Sequence, residues 1–188
     1  LPLSPGWERG PGGEGNPMNT ARILVAGIGN IFLGDDAFGV EVVRQLALRR
    51  QPEGVRVVDF GIRGFDLAYA LMDGVDLAIL VDATPRGGPP GTLYAIEPEP
   101  EAPADPEAPE VLVETHGMNP LRVLRLVRSL GGEPPALRVV GCEPLTLGSE
   151  EEPAPGLSEP VQAAVGAAVR LVEEIVAQRL GTFSRPDG

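Results

Sequence analysis

Four side chains with acid–base or metal-ligating chemistry occupy comparable places in the sequence. Asp36 follows the first short apolar run, Asp59 and Asp82 close the next two, and His116, the one histidine, precedes a helical pattern. Because the carboxyl ends of parallel strands meet at one edge of a sheet, these groups are expected to converge there. Carboxylate oxygens and an imidazole nitrogen suit Zn, Ni or a similar divalent ion. A metal or acid–base site at this edge is therefore predicted.

Each of these residues also has a structural interpretation that the sequence leaves open. Asp36 could cap the first helix, since Asp is a favoured N-cap residue. Asp82 precedes Ala-Thr-Pro and could initiate a turn. Asp59 could accept hydrogen bonds from neighbouring amides, and His116 could be structural or merely exposed. The prediction of a site depends on the groups sharing one edge rather than on any one of them.

Other chemistries are disfavoured by the residues present. A dinucleotide-binding fingerprint needs glycine at the sixth position counted from Gly27, where Phe32 stands, and two acids follow this loop. The chain has no Gly-x-Ser-x-Gly elbow, and Cys142 is interpreted as a small, buried, inert thiol. Arg63 lies on a glycine-bounded loop and could bind a carboxylate or a chain terminus, or simply be exposed.

The elements that must position these groups alternate between strands and helices. Short apolar runs predict strands at Arg22–Ala26, Val55–Phe60, Asp76–Asp82, Thr92–Ile96 and Leu137–Gly141. Helical spacing and cap signals predict helices around Val40–Ala47, over Phe65–Met72, from Pro120 (with Asn119 as N-cap) to Gly131, and from Ser158 to Gly181. The alternation predicts an α/β fold, a three-layer α/β/α sandwich with a mostly parallel five-stranded sheet.

Length, charge and cysteine usage limit the class of protein. The 188 residues suit one domain, predicted over 19–181, with a disordered leader or over-long start at 1–18 and a flexible tail at 182–188. A net charge of −12 argues against a nucleic-acid partner. No apolar run approaches the roughly 20 residues of a membrane helix, so no membrane partner is expected. One cysteine and no secretion signal predict a cytoplasmic location.

The order of the motifs resembles that of the maturation endopeptidases of nickel–iron hydrogenases. The motifs are ILVAGIGNIFLGDDAFG, VVDFGIRGFDLAYAL, LAILVDATPRGGPPGTLY, THGMNPLRVL and LRVVGCEP, and the resemblance covers Ala21 to about Gln178. It implies a single α/β/α domain and an endopeptidase that removes the C-terminal peptide of a hydrogenase large-subunit precursor after nickel insertion.

Carried over by position, the resemblance implies that Asp36, Asp82 and His116 are the catalytic and metal-binding residues. Asp59 and Arg63, together with Asn30, are candidates for the loops that contact the substrate. The implied ion is nickel carried by the substrate, or another divalent metal, and the implied partner is the large-subunit precursor. The chain is expected to be a monomer or a weak oligomer.

Two other functions stay open at this point. One is a non-catalytic escort that binds the nickel-loaded large subunit without cutting it. The other is a peptidyl-tRNA hydrolase-like esterase, which also begins with a strand and a Gly-x-Gly-Asn loop. That esterase needs an early histidine and a basic face, whereas this chain has no histidine before His116 and is strongly acidic.

Overall fold

A five-stranded sheet organises the chain in the computed structural model, which describes residues 21–98, 120–148, 153 and 155–183. The strands are β1 (Ile23–Ile28), β2 (Val55–Gly61), β3 (Leu77–Ala83), β4 (Leu93–Ile96) and β5 (Ala136–Cys142). Their spatial order is β2-β1-β3-β5-β4, and all neighbours are parallel except the antiparallel pair β4 and β5. The predicted mostly parallel sheet is confirmed, and each strand lies within two residues of its predicted ends.

Helices cover both faces of the sheet. They are α1 (Phe38–Ala47), α2 (Gly64–Met72), α3 (Pro120–Ser129) and α4 (Glu159–Phe183). Alternate residues of the strands feed two separate cores: Val25 packs with α1 and α4, whereas its neighbour Leu24 packs with α2 and α3. This arrangement confirms the predicted three layers.

Glycine allows α1 to lie directly against the ends of two strands. A Cβ atom at Gly39 would lie 2.0 Å from the carbonyl oxygen of Val81 and 2.4 Å from that of Ile28. A Cβ atom at Gly27 would lie 2.5 Å from the carbonyl oxygen of Gly39. Because neither glycine carries a side chain, the beginning of α1 reaches the carboxyl ends of β1 and β3.

The helix ends differ from the predicted ones in two places. Helix α1 begins at Phe38, two residues before the predicted helix around Val40–Ala47. A 3-10 turn over Asp35–Ala37, which the spacing of the apolar residues did not predict, precedes it. Helix α4 continues to Phe183 although Gly181 was expected to stop it. A helical glycine costs only about 1 kcal/mol, which a helix of this length absorbs.

Some predicted features lie outside the described residues. They include His116, the Asn119 cap and the leader 1–18. The predicted domain boundaries therefore stay predictions. In the part of the chain that is described, no helix combines the length and the hydropathy needed to cross a bilayer.

Candidate metal site at the carboxyl edge of the sheet

The loop after β1 folds back so that its own amide holds the carboxylate of Asp36. The backbone N–H of Asn30 donates to Oδ2 of Asp36 at 2.6 Å. Gly29 has φ +129°, and a Cβ atom there would lie 1.7 Å from the carbonyl oxygen of Asp36, so only glycine fits at this position. Neither the 3-10 turn nor α1 has a side-chain cap, so Asp36 does not act as the helix cap that the sequence left open.

Asp82 lies at the end of β3, the strand that pairs directly with β1, and is almost fully buried. Its pKa is raised well above the ordinary value, first because burial disfavours the charged carboxylate and second because the carboxylate of Asp36 repels it. A hydrogen bond from the amide of Ala83 opposes these effects only in part. Asp36 and Asp82 are therefore near enough to interact electrostatically, and their predicted metal-binding role stays a prediction.

This pair of carboxylates has the character of a cation site. Two like charges that are drawn together and partly removed from water are stabilised by a positive ion between them. Among the described residues, no third His, Cys, Asp or Glu joins a group of this kind. The donor set in hand thus consists of two carboxylates, and the predicted third ligand, His116, lies outside the described residues.

Asp35, the neighbour of Asp36, has a different role from the one its position suggests. Its side chain is fully buried. It accepts hydrogen bonds from the amides of Leu145 (2.8 Å) and Thr146 (3.2 Å) and from both the amide (2.7 Å) and the hydroxyl (2.9 Å) of Ser158. Asp35 therefore joins the 3-10 turn to the connection between β5 and α4 and does not face the Asp36–Asp82 pair as a free acid.

Asp59 does not join the pair, although it lies at the same edge. It closes β2, and β1 separates that strand from β3, so their backbones are about 10 Å apart. Its carboxylate is half exposed and lies 3.8 Å from Nε of Arg44 on α1. The alternation along β2 directs the Asp59 side chain toward α1, whereas Asp36 and Asp82 act on each other electrostatically. The roles expected for the three acids in a site stay predictions.

The other two predicted substrate-loop residues help to fold their own loops. The guanidinium of Arg63 donates to the carbonyl oxygens of Phe60 (3.1 Å) and Asp59 and lies 3.5 Å from the carboxylate of Asp66. The side-chain oxygen of Asn30 accepts the amide of Phe32 at 3.0 Å. Both residues remain at the carboxyl edge, and a contact with substrate stays a prediction.

Glu143 is a buried acid at the carboxyl edge that was not singled out from the sequence. It follows β5 at the same edge, and its buried carboxylate accepts the amides of Arg86 and Gly87 and the hydroxyl of Tyr94 at 2.7 Å. The hydrogen bond from Tyr94 is the main cause that lowers the pKa of Glu143. Glu143 fixes the segment that follows Asp82. Its place directly after a strand was the signal that could have revealed it.

The thiol of Cys142 is a buried group of β5, as predicted. Burial, with smaller contributions from the negative charges of Asp35 and Glu143, raises its pKa to about 11. A thiol with such a pKa is protonated at neutral pH and is a poor nucleophile. Cys142 is therefore part of the core beneath the site.

Comparisons with known proteins agree with this architecture. The HycI family model, described as hydrogenase maturation protease, matches residues 40–175. The hydrogenase expression/formation protein HoxM of Azotobacter vinelandii is 34% identical over 172 residues, which cover 91% of this chain and 80% of HoxM. The hydrogenase 2 maturation protease of Escherichia coli is 32% identical over 155 residues, which cover 80% of this chain and 88% of that protein.

Solved structures give the same result. The hydrogenase maturating endopeptidase HybD from E. coli superposes with a TM-score of 0.65 and 31% identity, covering 84% of this chain and 93% of HybD. A hydrogenase 2 maturation peptidase from a Thaumarchaeota archaeon superposes with a TM-score of 0.60 and 32% identity, covering 83% of this chain and 98% of the other. The resemblance read from the motifs is confirmed, and the esterase alternative is set aside. The chain belongs to the hydrogenase maturation proteases, a family of endopeptidases.

Proposed function

We propose that this protein removes the C-terminal extension of a nickel–iron hydrogenase large-subunit precursor after nickel insertion. In this proposal Asp36, Asp82 and His116 bind the nickel ion that the precursor carries. The observation that carries the proposal is the mutual repulsion of the Asp36 and Asp82 carboxylates, which come from the turn before α1 and from the end of β3. A cytoplasmic location and a monomeric or weakly associated state stay predictions.

The electrostatics of the pair favour a cation supplied by the substrate. Burial and the neighbouring carboxylate both raise the pKa of Asp82, so the free protein keeps this group ready to take up a proton. A divalent ion stabilises both ionised carboxylates, and its binding is therefore coupled to loss of a proton. A precursor without nickel brings no cation and therefore does not stabilise the two ionised carboxylates. The site thus discriminates between loaded and unloaded precursors.

The direction of α3 supports His116 as the third ligand. Helix α2 follows the carboxyl end of β2, so its last residue, Met72, lies toward the amino edge of the sheet. A Cβ atom at Gly132 would lie 2.7 Å from Met72, so the connection after α3 lies at the amino edge as well. Helix α3 packs through Val123 and Val127 on the same face of the sheet as α2, so its first residue points toward the carboxyl edge. His116 precedes Pro120 by four residues, which span at most about 14 Å.

The chemistry of peptide cleavage would be shared between ion and protein. A bound divalent ion polarises a carbonyl group and lowers the pKa of a bound water molecule. Asp36, held by the Asn30 amide, fixes the position of one oxygen ligand. Asp82 supplies a second ligand from a strand end that cannot shift without disturbing β3 and its neighbours β1 and β5. An imidazole from His116 would leave coordination positions open, as catalytic sites require.

The proposal is tested by the mass of the precursor. Purified protein is incubated with nickel-loaded precursor, and loss of the C-terminal peptide is followed by mass spectrometry. We expect cleavage by the wild type and loss of cleavage in Asp82→Asn and His116→Ala. Asp76→Asn is the matched control, because Asp76 directly precedes the same strand at the opposite edge and an asparagine can still accept the amide of Arg22.

Two results would contradict parts of the proposal separately. An unchanged precursor mass with tight binding would favour the non-catalytic escort. Equal cleavage of nickel-free and nickel-loaded precursor would leave the peptidase in place and refute nickel recognition. Calorimetric titration of Ni²⁺ into the protein alone adds a readout independent of cleavage, and weaker binding is expected for His116→Ala than for Asp76→Asn.

A further inference from the structure

Large apolar side chains are exposed at the carboxyl edge of the sheet, the edge at which Asp36 and Asp82 lie. Phe32, Ile62, Phe65, Tyr69 and Leu145 are each more than half exposed, and all of them lie in or near the loops at the carboxyl edge. We refer to these five residues as the apolar rim. Monomeric proteins seldom expose several large apolar groups together unless the surface binds a partner.

The tip of the turn after β1 shows that this exposure is built into the fold. Asn30 and Leu33 close the turn by a hydrogen bond from the amide of Leu33 to the carbonyl oxygen of Asn30 at 3.1 Å. The residues at its tip are Ile31 and Phe32, whereas turn tips usually carry polar residues or glycine. The geometry leaves Phe32 62% exposed to solvent.

Backbone hydrogen bonds join the loops of the rim into one surface. The amide of Gly29 donates to the carbonyl oxygen of Gly61 at 3.1 Å, which connects the β1 loop to the β2 loop that carries Ile62. The amide of Gly148 donates to the carbonyl oxygen of Leu33 at 3.1 Å, which connects the β1 loop to the β5 loop that carries Leu145. The rim is therefore held together by main-chain contacts.

Helix α2 extends the rim along one side. Phe65 and Tyr69 are four positions apart in the sequence and so lie on one face of this helix. The opposite face carries Leu67 and Leu71, which are buried in the core. Helix α2 thus has an apolar face on both sides, and only the inner one is used in folding.

We propose that the apolar rim is the docking surface for the precursor and that its occupant is an apolar polypeptide segment next to the nickel centre. This inference rests on the proposed function. Charge complementarity supports the choice of occupant, because two carboxylates at the inner margin of an apolar surface match a cation flanked by apolar side chains. A second copy of this chain fits less well, since each copy carries a net charge of −12.

The test uses single charged substitutions in the full-length protein. Phe32→Asp and Tyr69→Asp are compared with Leu48→Asp, whose side chain is 89% exposed at the end of α1 on the opposite edge. For cleavage of the nickel-loaded precursor, we expect each rim variant to raise KM about tenfold with little change in kcat. The Leu48→Asp variant should resemble the wild type.

A second measurement separates the rim from the metal site. Binding of the nickel-free precursor is measured by biolayer interferometry, since that binding involves the rim without the ion. We expect a dissociation constant about tenfold larger for Phe32→Asp and for Tyr69→Asp. If the wild type binds through the rim but never shortens the precursor, docking stands and the proposed peptidase function fails.

Two outcomes would overturn the docking proposal. One is binding by both rim variants that equals that of Leu48→Asp. The other is a wild-type dimer in sedimentation velocity that Phe32→Asp dissociates, because the rim would then join two copies of the chain. Circular dichroism checks that each variant is folded. Because all three side chains are more than half exposed, none of the substitutions should disturb the core.

Discussion

The carboxylate of Asp36 raises the pKa of Asp82, although the two residues belong to different structural units far apart in the sequence. Asp36 is carried by the 3-10 turn before α1, and Asp82 by the end of β3. Their proximity results from the glycines that let α1 begin directly on the strand ends. Repulsion between these two carboxylates lowers the stability of the folded protein, and a bound cation, as proposed above, would relieve it.

Asp82→Asn should therefore stabilise the metal-free protein while abolishing precursor cleavage. The folded-state pKa of Asp82 is raised above the ordinary value of 3.8, so the wild type loses stability as the pH rises from that value through the folded pKa. The amide side chain of the variant has no proton to lose. Urea unfolding in the presence of a chelator should show an advantage for the variant at pH 7 that disappears near pH 3.5. An advantage that is constant with pH would refute the titration of Asp82.

Asp35→Ala should destabilise the protein by about 3 kcal/mol, because it leaves the amides of Leu145, Thr146 and Ser158 without their acceptor. Denaturant unfolding measures this loss. Glu41→Ala is the control, since the carboxylate of Glu41 lies on the surface at 3.9 Å from Arg44 and its removal should change stability by no more than about 0.5 kcal/mol. Equal effects of the two substitutions would contradict the role of Asp35.

Gly39→Ala and Gly166→Ala should have opposite effects on stability, although both replace a glycine in a helix. At Gly39 the new methyl group meets the carbonyl oxygen of Val81 at 2.0 Å, which forces α1 away from the sheet and should cost about 3 kcal/mol. At Gly166 the nearest atom, on Arg170, lies 3.8 Å away, and the gain in helix propensity should be about 1 kcal/mol. Thermal unfolding of both variants provides the comparison.

Cys142 should resist alkylation in the folded protein. Its pKa is raised to about 11, so at pH 8 iodoacetamide should modify it only when the chain unfolds. Because the unfolded thiol titrates near 9.0, the folded state loses stability as the pH rises through 9 and toward 11. Cys142→Ala should lose this part of the alkaline pH dependence. Rapid labelling under native conditions would show that the thiol is accessible.

Much of the fold could be predicted because its signals are local. Short apolar runs ending in glycine or an acid identified the strands, and helical spacing identified α1 and α2 within two residues. The expectation that Asp36 and Asp82 share one edge followed from the general behaviour of parallel sheets, whereas the spatial order of the strands was not predicted. These features depend on backbone periodicity, which a single sequence contains.

The different contacts that the acids make could not be predicted from the sequence. Asp35 and Asp36 are adjacent and identical in type, yet one accepts four hydrogen bonds from a distant connection and the other faces Asp82. Asp59 points toward Arg44 because of its position in the alternation of β2. Such differences depend on side-chain direction and on partners remote in the chain, and neither is written in local spacing.

The turn from Asn30 to Leu33 joins two features that the proposals above use separately. The amide of Asn30 holds the carboxylate of Asp36, and Phe32, two residues further on, is exposed to solvent. Under the proposed docking, a polypeptide that touches Phe32 therefore contacts the same short segment that orients the carboxylate of Asp36.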